Sequence, residues 1–161
     1  MDDYRAIEVQ IAQTYNANAK GTRKSIGDFL LDDDIKKPVN VKSNNVDKNN
    51  YSPNIISAKR LINWLQEDGN ELYFIFVNYR KVGKRIELIG DSGLVPVHKI
   101  SWDCLSIEAQ GWGVIQLVGD LIIDENQDKM GFFRGMKIAY EKFIEKETKK
   151  MAQIKEMIKK F

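Results

Sequence analysis

The chain has 161 residues, 43% of them hydrophobic and 30% charged, with 25 Lys and Arg against 23 Asp and Glu. That length fits one domain with a real core, and the balance is that of a soluble globular protein. A lone cysteine, Cys104, excludes an intrachain disulfide framework or a cysteine-based zinc site. The acidic opening Met1-Asp2-Asp3-Tyr4 is unlike a signal peptide and no apolar run reaches membrane-spanning length, so a cytoplasmic protein away from membranes is expected.

In chain order, Tyr4, Ile7, Ile11 and Tyr15 recur at helical spacing and predict a helix over 3–19, ended by Gly21 and Thr22. Residues 25–32 read as a strand, followed by an acidic turn at Asp32 to Asp34. Pro38-Val39-Asn40-Val41-Lys42 reads as a second strand, with the valines on one face and Asn40 and Lys42 on the other. Residues 43–54 lack apolar periodicity and predict a long loop. A helix is expected from Ser57 to Gln66, a buried strand from Leu72 to Tyr79, and a hairpin partner from Arg85 to Ile89. Val95 to Val118 is β-rich, with a turn at Gly111-Trp112-Gly113. Residues 129–160 predict a long final helix, with Phe133, Met136, Ala139, Tyr140 and Phe143 facing the core. The expected fold is α/β, a mixed central sheet flanked by helices in one domain, with 1–128 as its core and 129–161 as the C-terminal helix.

Charge is unevenly spread. Residues 36–60 carry six Lys or Arg against one acid and residues 129–161 ten against four, while 1–35 hold four against seven and 61–128 five against eleven. Basic segments suit phosphates and an acidic pocket suits a metal. The C-terminal lysines read equally well as a solvated face.

The segment that carries chemistry is Gly27-Asp28-Phe29 followed by Pro38-Val39-Asn40-Val41-Lys42. A carboxylate on one strand and a polar-x-Lys on the next converge when the strands pair. Phosphodiester hydrolysis uses a metal to neutralise phosphate charge and activate water. Asp28 would supply a ligand oxygen, the Val41 carbonyl another, and Lys42 would orient the attacking water or stabilise the developing charge.

This layout resembles the PD-(D/E)XK nuclease superfamily over roughly Met1 to Val118, and within it the small type II restriction endonucleases. The resemblance implies a restriction-endonuclease-like domain that cuts double-stranded DNA with Mg2+. It implies Asp28 and Glu8 as metal ligands, the latter because a Glu on the first helix often joins the site. Glu8 also reads as an edge residue with its carboxylate in water. Asn40 stands where the superfamily has Asp or Glu. It is read as a weak ligand or positioner, because a carboxamide keeps an oxygen and loses the charge. Some restriction enzymes of the superfamily carry Asn or Gln here; an inactivating substitution and a decayed enzyme are the other readings.

Ser43, Asn44, Asn45, Lys48, Asn49, Asn50 and Tyr51 follow the Lys42 strand and are candidate DNA readers, since Asn pairs adenine bidentately and Lys reaches guanine or phosphate. They are equally ordinary loop formers. Lys59 and Arg60 are candidate phosphate contacts, Gln110 and Trp112 weaker DNA candidates. His98 reads as packed rather than catalytic, and Cys104, Trp102, Trp112 and the Tyr73, Phe74, Phe76 run as core. Met151, Ile154, Met157, Ile158 and Phe161 prolong the apolar stripe of the last helix and predict a partner helix. A homodimer is expected, since cutting both strands of a palindrome favours two-fold symmetry. The alternatives are another nuclease of the same fold, such as a junction resolvase or repair nicking enzyme, and a non-catalytic DNA-binding domain.

Overall fold

The computed structural model describes residues 3–17, 19, 26–48 and 51–161. Along the chain run α1 (Asp3–Thr14), β1 (Phe29–Leu30), β2 (Pro38–Asn45), β3 (Asn54–Ser57), α2 (Ala58–Leu65), β4 (Tyr73–Val82), β5 (Arg85–Asp91), β6 (Val95–Pro96), β7 (Leu105–Glu108), β8 (Val114–Leu117) and α3 (Lys129–Ile158). The fold is α/β with a mixed sheet and a long C-terminal helix, as the sequence predicts. The chain forms two compact units, Met1–Tyr51 with Ile62–Val97, and Ser52–Leu61 with His98–Phe161.

The first unit is built on a five-stranded sheet in the order β1-β2-β4-β5, with β6 also on β4. β2 and β4 run parallel, with Val39 beside Tyr73 and Lys42 beside Phe76. β1 is antiparallel to β2, and β5 and β6 are antiparallel to β4. Alternation sends Val39 and Val41 of β2 and Ile75, Val77 and Tyr79 of β4 into one core with Ile7, Ile11 and Ala12 of α1 and Phe29 of β1. Asn40 and Lys42 therefore turn to the opposite face of β2.

α1 stops well short of residue 19. Asn16 takes a left-handed φ of 55°, the Ala17 N–H bonds the Ala12 carbonyl at 2.9 Å and the Asn16 N–H bonds that of Gln13 at 3.0 Å. That is a Schellman-type stop with Asn in the place glycine usually takes. The expected stop at Gly21 and Thr22 lies outside the described residues. Tyr4, placed on the core stripe by its spacing, is 59% exposed; Ile7, Ile11 and Ala12 form the buried stripe. The strand expected over 25–32 is reduced to the two residues of β1. The chain then enters a tight turn in which Asp32 and Asp33 take left-handed φ values of 54° and 56°. Short polar side chains tolerate that conformation and end the pairing.

The second unit holds a three-stranded antiparallel sheet in the order β3-β8-β7. Asp128 caps α3 by accepting the Gly131 N–H at 2.7 Å. Phe132 and Met136 are the buried residues of α3. Phe132 is absent from the predicted core face, whereas Phe133, Ala139, Tyr140 and Phe143 are half-buried. Trp102 donates from Nε1 to the Phe132 carbonyl at 2.8 Å, and its ring lies so close to Gly135 that no Cβ fits there. Trp112, expected in the core, is instead 71% exposed, on the turn between β7 and β8. Cys104 is buried as expected. Among the described residues no helix is long and apolar enough to cross a membrane.

Candidate active site

The site lies in the first unit, where β1 meets β2. Pairing of Phe29 with Val39 brings Asp28 beside Asn40. Two bonds hold it there: the Asp28 N–H donates to the Val39 carbonyl at 2.7 Å, and the Asp28 carboxylate accepts the Val41 N–H at 2.6 Å. The carboxylate thus replaces the ladder bond that a longer β1 would have given Val41. Because alternate residues of a strand point their backbone groups to the same neighbour, the Val41 carbonyl leaves β2 on the Asp28 side.

Gly27 makes the approach possible. A Cβ there would meet the Pro38 Cβ at 2.8 Å and the Val39 carbonyl oxygen at 2.9 Å. Asn40 closes the same corner by donating from Nδ2 to the Ile26 carbonyl at 3.4 Å. Its amide nitrogen is thereby directed at backbone.

Lys42 follows on the face it shares with Asn40. Burial lowers its ammonium from the ordinary lysine range, and the charges of Asp28 and Glu8 work against that shift. Burial likewise raises the Asp28 carboxyl, opposed by the Val41 N–H, Lys42 and Arg5. Lys42 is therefore close enough to feel Asp28 and Glu8, and Asp28 to feel Arg5. Arg5 bonds Glu8 at 3.2 Å, one turn apart on α1, and bonds the Ala19 carbonyl at 2.9 Å through its other terminal nitrogen. Glu8 lies beside the core stripe with its side chain 21% exposed and paired with Arg5.

A divalent metal can be tested against this donor set. The groups on offer are the Asp28 and Glu8 carboxylates, the Asn40 amide oxygen and the Val41 carbonyl, all oxygens and so suited to a hard cation. Among the described residues no group of three or more His, Cys, Asp or Glu side chains gathers for a metal ion.

The predicted DNA-reading loop begins later than expected. β2 continues through Ser43, Asn44 and Asn45. Asn44 donates to the Asn78 side chain at 3.1 Å across the β2–β4 pair, and Asn45 accepts the Asp47 N–H at 3.1 Å to shape the turn that follows. Cross-strand pairing and turn chemistry explain these asparagines without DNA. Lys48 is exposed on that turn, and Asn49 and Asn50 lie outside the described residues. The Tyr51 hydroxyl is buried without a hydrogen-bond partner, and burial pushes its pKa up to about 12. Lys59 belongs to the second unit, where its ammonium sits 5.1 Å over the Trp112 ring. Gln110 is tied to Asn54 at 3.0 Å.

Two residues of the site carry no role in the sequence reading. Arg5 had a signal, its i,i+3 spacing to Glu8. Gly27 had only its adjacency to Asp28. The chain matches no family model and no curated protein.

Proposed function

We propose that this chain is a metal-dependent endodeoxyribonuclease of the PD-(D/E)XK type, and within that class a type II restriction endonuclease acting on double-stranded DNA. The observation that carries the proposal is the pinning of Asp28 to β2 at Val39 and Val41, within charge range of Lys42 on the same strand. Mg2+ would be held by Asp28 and Glu8 with the Asn40 oxygen and the Val41 carbonyl, and it would neutralise phosphate charge and acidify a bound water. Asp28 orients its carboxylate through the Val41 N–H. Lys42 stands next to it as the cation that directs the attacking water and balances charge developing on the phosphate. Lys48 and Lys59 are solvent-facing cations suited to DNA phosphates.

Incubation with phage DNA and Mg2+ tests this directly: discrete bands that vanish with chelator are expected. A second reading, a non-catalytic DNA-binding domain of the same fold, is favoured by Asn40, whose amide nitrogen is spent on Ile26. Cleavage by the Asn40→Asp variant alone would mark a decayed or inactivated nuclease. Retarded DNA without cleavage by either form would favour the binding domain.

A further inference from the structure

We infer that β7 and the facing stripe of α3 form a docking groove for an extended segment of a partner protein, which adds to the sheet as a further strand and carries acidic side chains at one end. The groove belongs to the second unit, whereas Asp28 and Lys42 belong to the first, so the inference stands apart from the nuclease reading. The groove encloses 420 Å³. One wall is Leu105, Ser106, Ile107 and Glu108, the whole of β7. Successive residues of a strand point to opposite faces, so four in a row line one groove only along the strand's edge. The other wall is Gly135, Ile138, Ala139, Lys142, Phe143 and Lys146, spaced by threes and fours along one face of α3.

In the order β3-β8-β7, β7 pairs with β8 alone among the described residues. The Val118 N–H bonds the Cys104 carbonyl at 2.8 Å. In an antiparallel ladder of that register Ser106 and Glu108 turn their backbone groups to β8, and Leu105 and Ile107 turn theirs away. The Leu105 N–H closes on the Trp102 carbonyl, which leaves the Leu105 carbonyl and both backbone groups of Ile107 on the open edge. β3, the opposite edge of the sheet, is blunted by Pro53 before it and by a register shift between Asn54 and Ile56. β7 has neither device: its register is regular, and its one charge, Glu108, accepts the Ser106 hydroxyl at 2.9 Å. Such an edge takes strand addition, in which backbone bonds supply affinity and side chains specificity. Charge supplies the specificity here. The Trp102 ring lies against Gly135, and Ile107 and Tyr140 both approach Gly113 further along, so α3 follows β7 in the same sense. Lys142 and Lys146 therefore lie toward the Glu108 end, where they outnumber that acid, and neither is in an ion pair among the described residues. Asp103 lines the Trp102 end, so the partner's carboxylates belong beside the lysines. Ile138, 56% exposed, offers apolar surface between the two ends.

The probe is a capped peptide of alternating valine and threonine with two glutamates at its amino end, titrated into the full chain by calorimetry. A peptide with two lysines in place of the glutamates is the comparison. The glutamate peptide should bind at least about tenfold more tightly, the range expected for two exposed charge contacts. The double variant Lys142→Glu with Lys146→Glu should reverse that preference. N-methylation of alternate peptide amides should abolish binding when placed on one of the two sets and spare it on the other, because only one set meets the edge. The unsubstituted protein gives a readout that needs no variant to fold: saturating glutamate peptide should slow hydrogen exchange of the Ile107 amide about tenfold or more. Equal affinity for the two peptides, or an Ile107 amide indifferent to saturating peptide, overturns the proposal, as does the absence of binding by the glutamate peptide. Ile107 protection that grows with protein concentration before any peptide is added assigns the edge to a second copy of the chain and overturns it as well.

Discussion

Burial pushes the Asp28 carboxyl up and the Lys42 ammonium down, so each side chain is disfavoured in its charged form. A raised folded pKa on Asp28 means that the folded protein binds that proton more tightly than the unfolded chain. Its contribution to stability is therefore full below the ordinary value of 3.8 and is lost as pH rises through the raised folded value. At neutral pH the ionised Asp28 is then a liability to the fold. Asp28→Asn keeps an oxygen to accept the Val41 N–H, so its melting temperature at pH 8 should equal or exceed the parent's. That advantage should shrink as pH falls and the parent's Asp28 takes up its proton, while metal-dependent cleavage is lost at every pH. A variant that cuts within about tenfold of the parent would remove Asp28 from the site, since a metal ligand is worth several kcal/mol in the transition state. If Lys42 acts on the water as proposed, Lys42→Ala should bind DNA almost as the parent does and cut it far more slowly. Parallel loss of binding and cleavage in a filter-binding assay would make it a phosphate contact instead.

The site depends on how little of β1 there is. A strand running from Ser25 would have paired Val41 through its own backbone; the short β1 hands that N–H to the Asp28 carboxylate. Gly27 is the hinge of that arrangement, and Gly27→Ala should destabilise the fold by about 1–3 kcal/mol through overpacking against Pro38 and Val39. Thermal melts would show it, and cleavage should fall further than stability alone explains, because Asp28 moves with the backbone. An unchanged melting temperature would mean that β1 yields freely. These elements also show what the sequence discloses. Alternation in Pro38 to Lys42 was enough to place Asn40 and Lys42 on the face away from Val39 and Val41, and turn residues located the β4–β5 hairpin and the β7–β8 turn. Local pattern did not disclose that β2 runs on through Ser43, Asn44 and Asn45. That extension is stabilised by β4 as a parallel neighbour, and asparagines have no strand signature of their own. Nor did it disclose the early end of α1, where the φ > 0 position is Asn16 and a glycine further along drew the boundary. Asp28 and Lys42 were legible because chemistry restricts their types. Gly27 was not, because its role is the space it leaves.

At the scale of the whole molecule, the far half of α3 leaves an apolar seam exposed. From Ile144 onward Ile144, Met151, Ile154 and Ile158 follow one another at sevens, threes and fours, each more than half exposed, and Phe161 is exposed just past the helix end. That narrow seam is the geometry of helix pairing and not of a broad core face. Ion pairs of Lys149 with Glu145, Lys150 with Glu147 and Lys159 with Glu156 lie along the helix itself and leave the seam to apolar side chains and Glu147. A second copy of the chain laid antiparallel would set Met151 against Ile154 and Glu147 against Ile158. A parallel copy would instead oppose the two Glu147 carboxylates, which disfavours it. An antiparallel pair has the two-fold symmetry that a cut on both strands of DNA requires. Sedimentation at micromolar concentration should then report about twice the 18.6 kDa chain mass. Fully burying one such side chain is worth about 1.5–3 kcal/mol, so Ile154→Asp should dissociate the pair, and truncation after Lys149 should do the same. Both changes should reduce double-strand cutting more than nicking, because each active site still meets one strand. A full-length protein that sediments as a monomer both free and on DNA would leave the seam without a twin and refute this assembly.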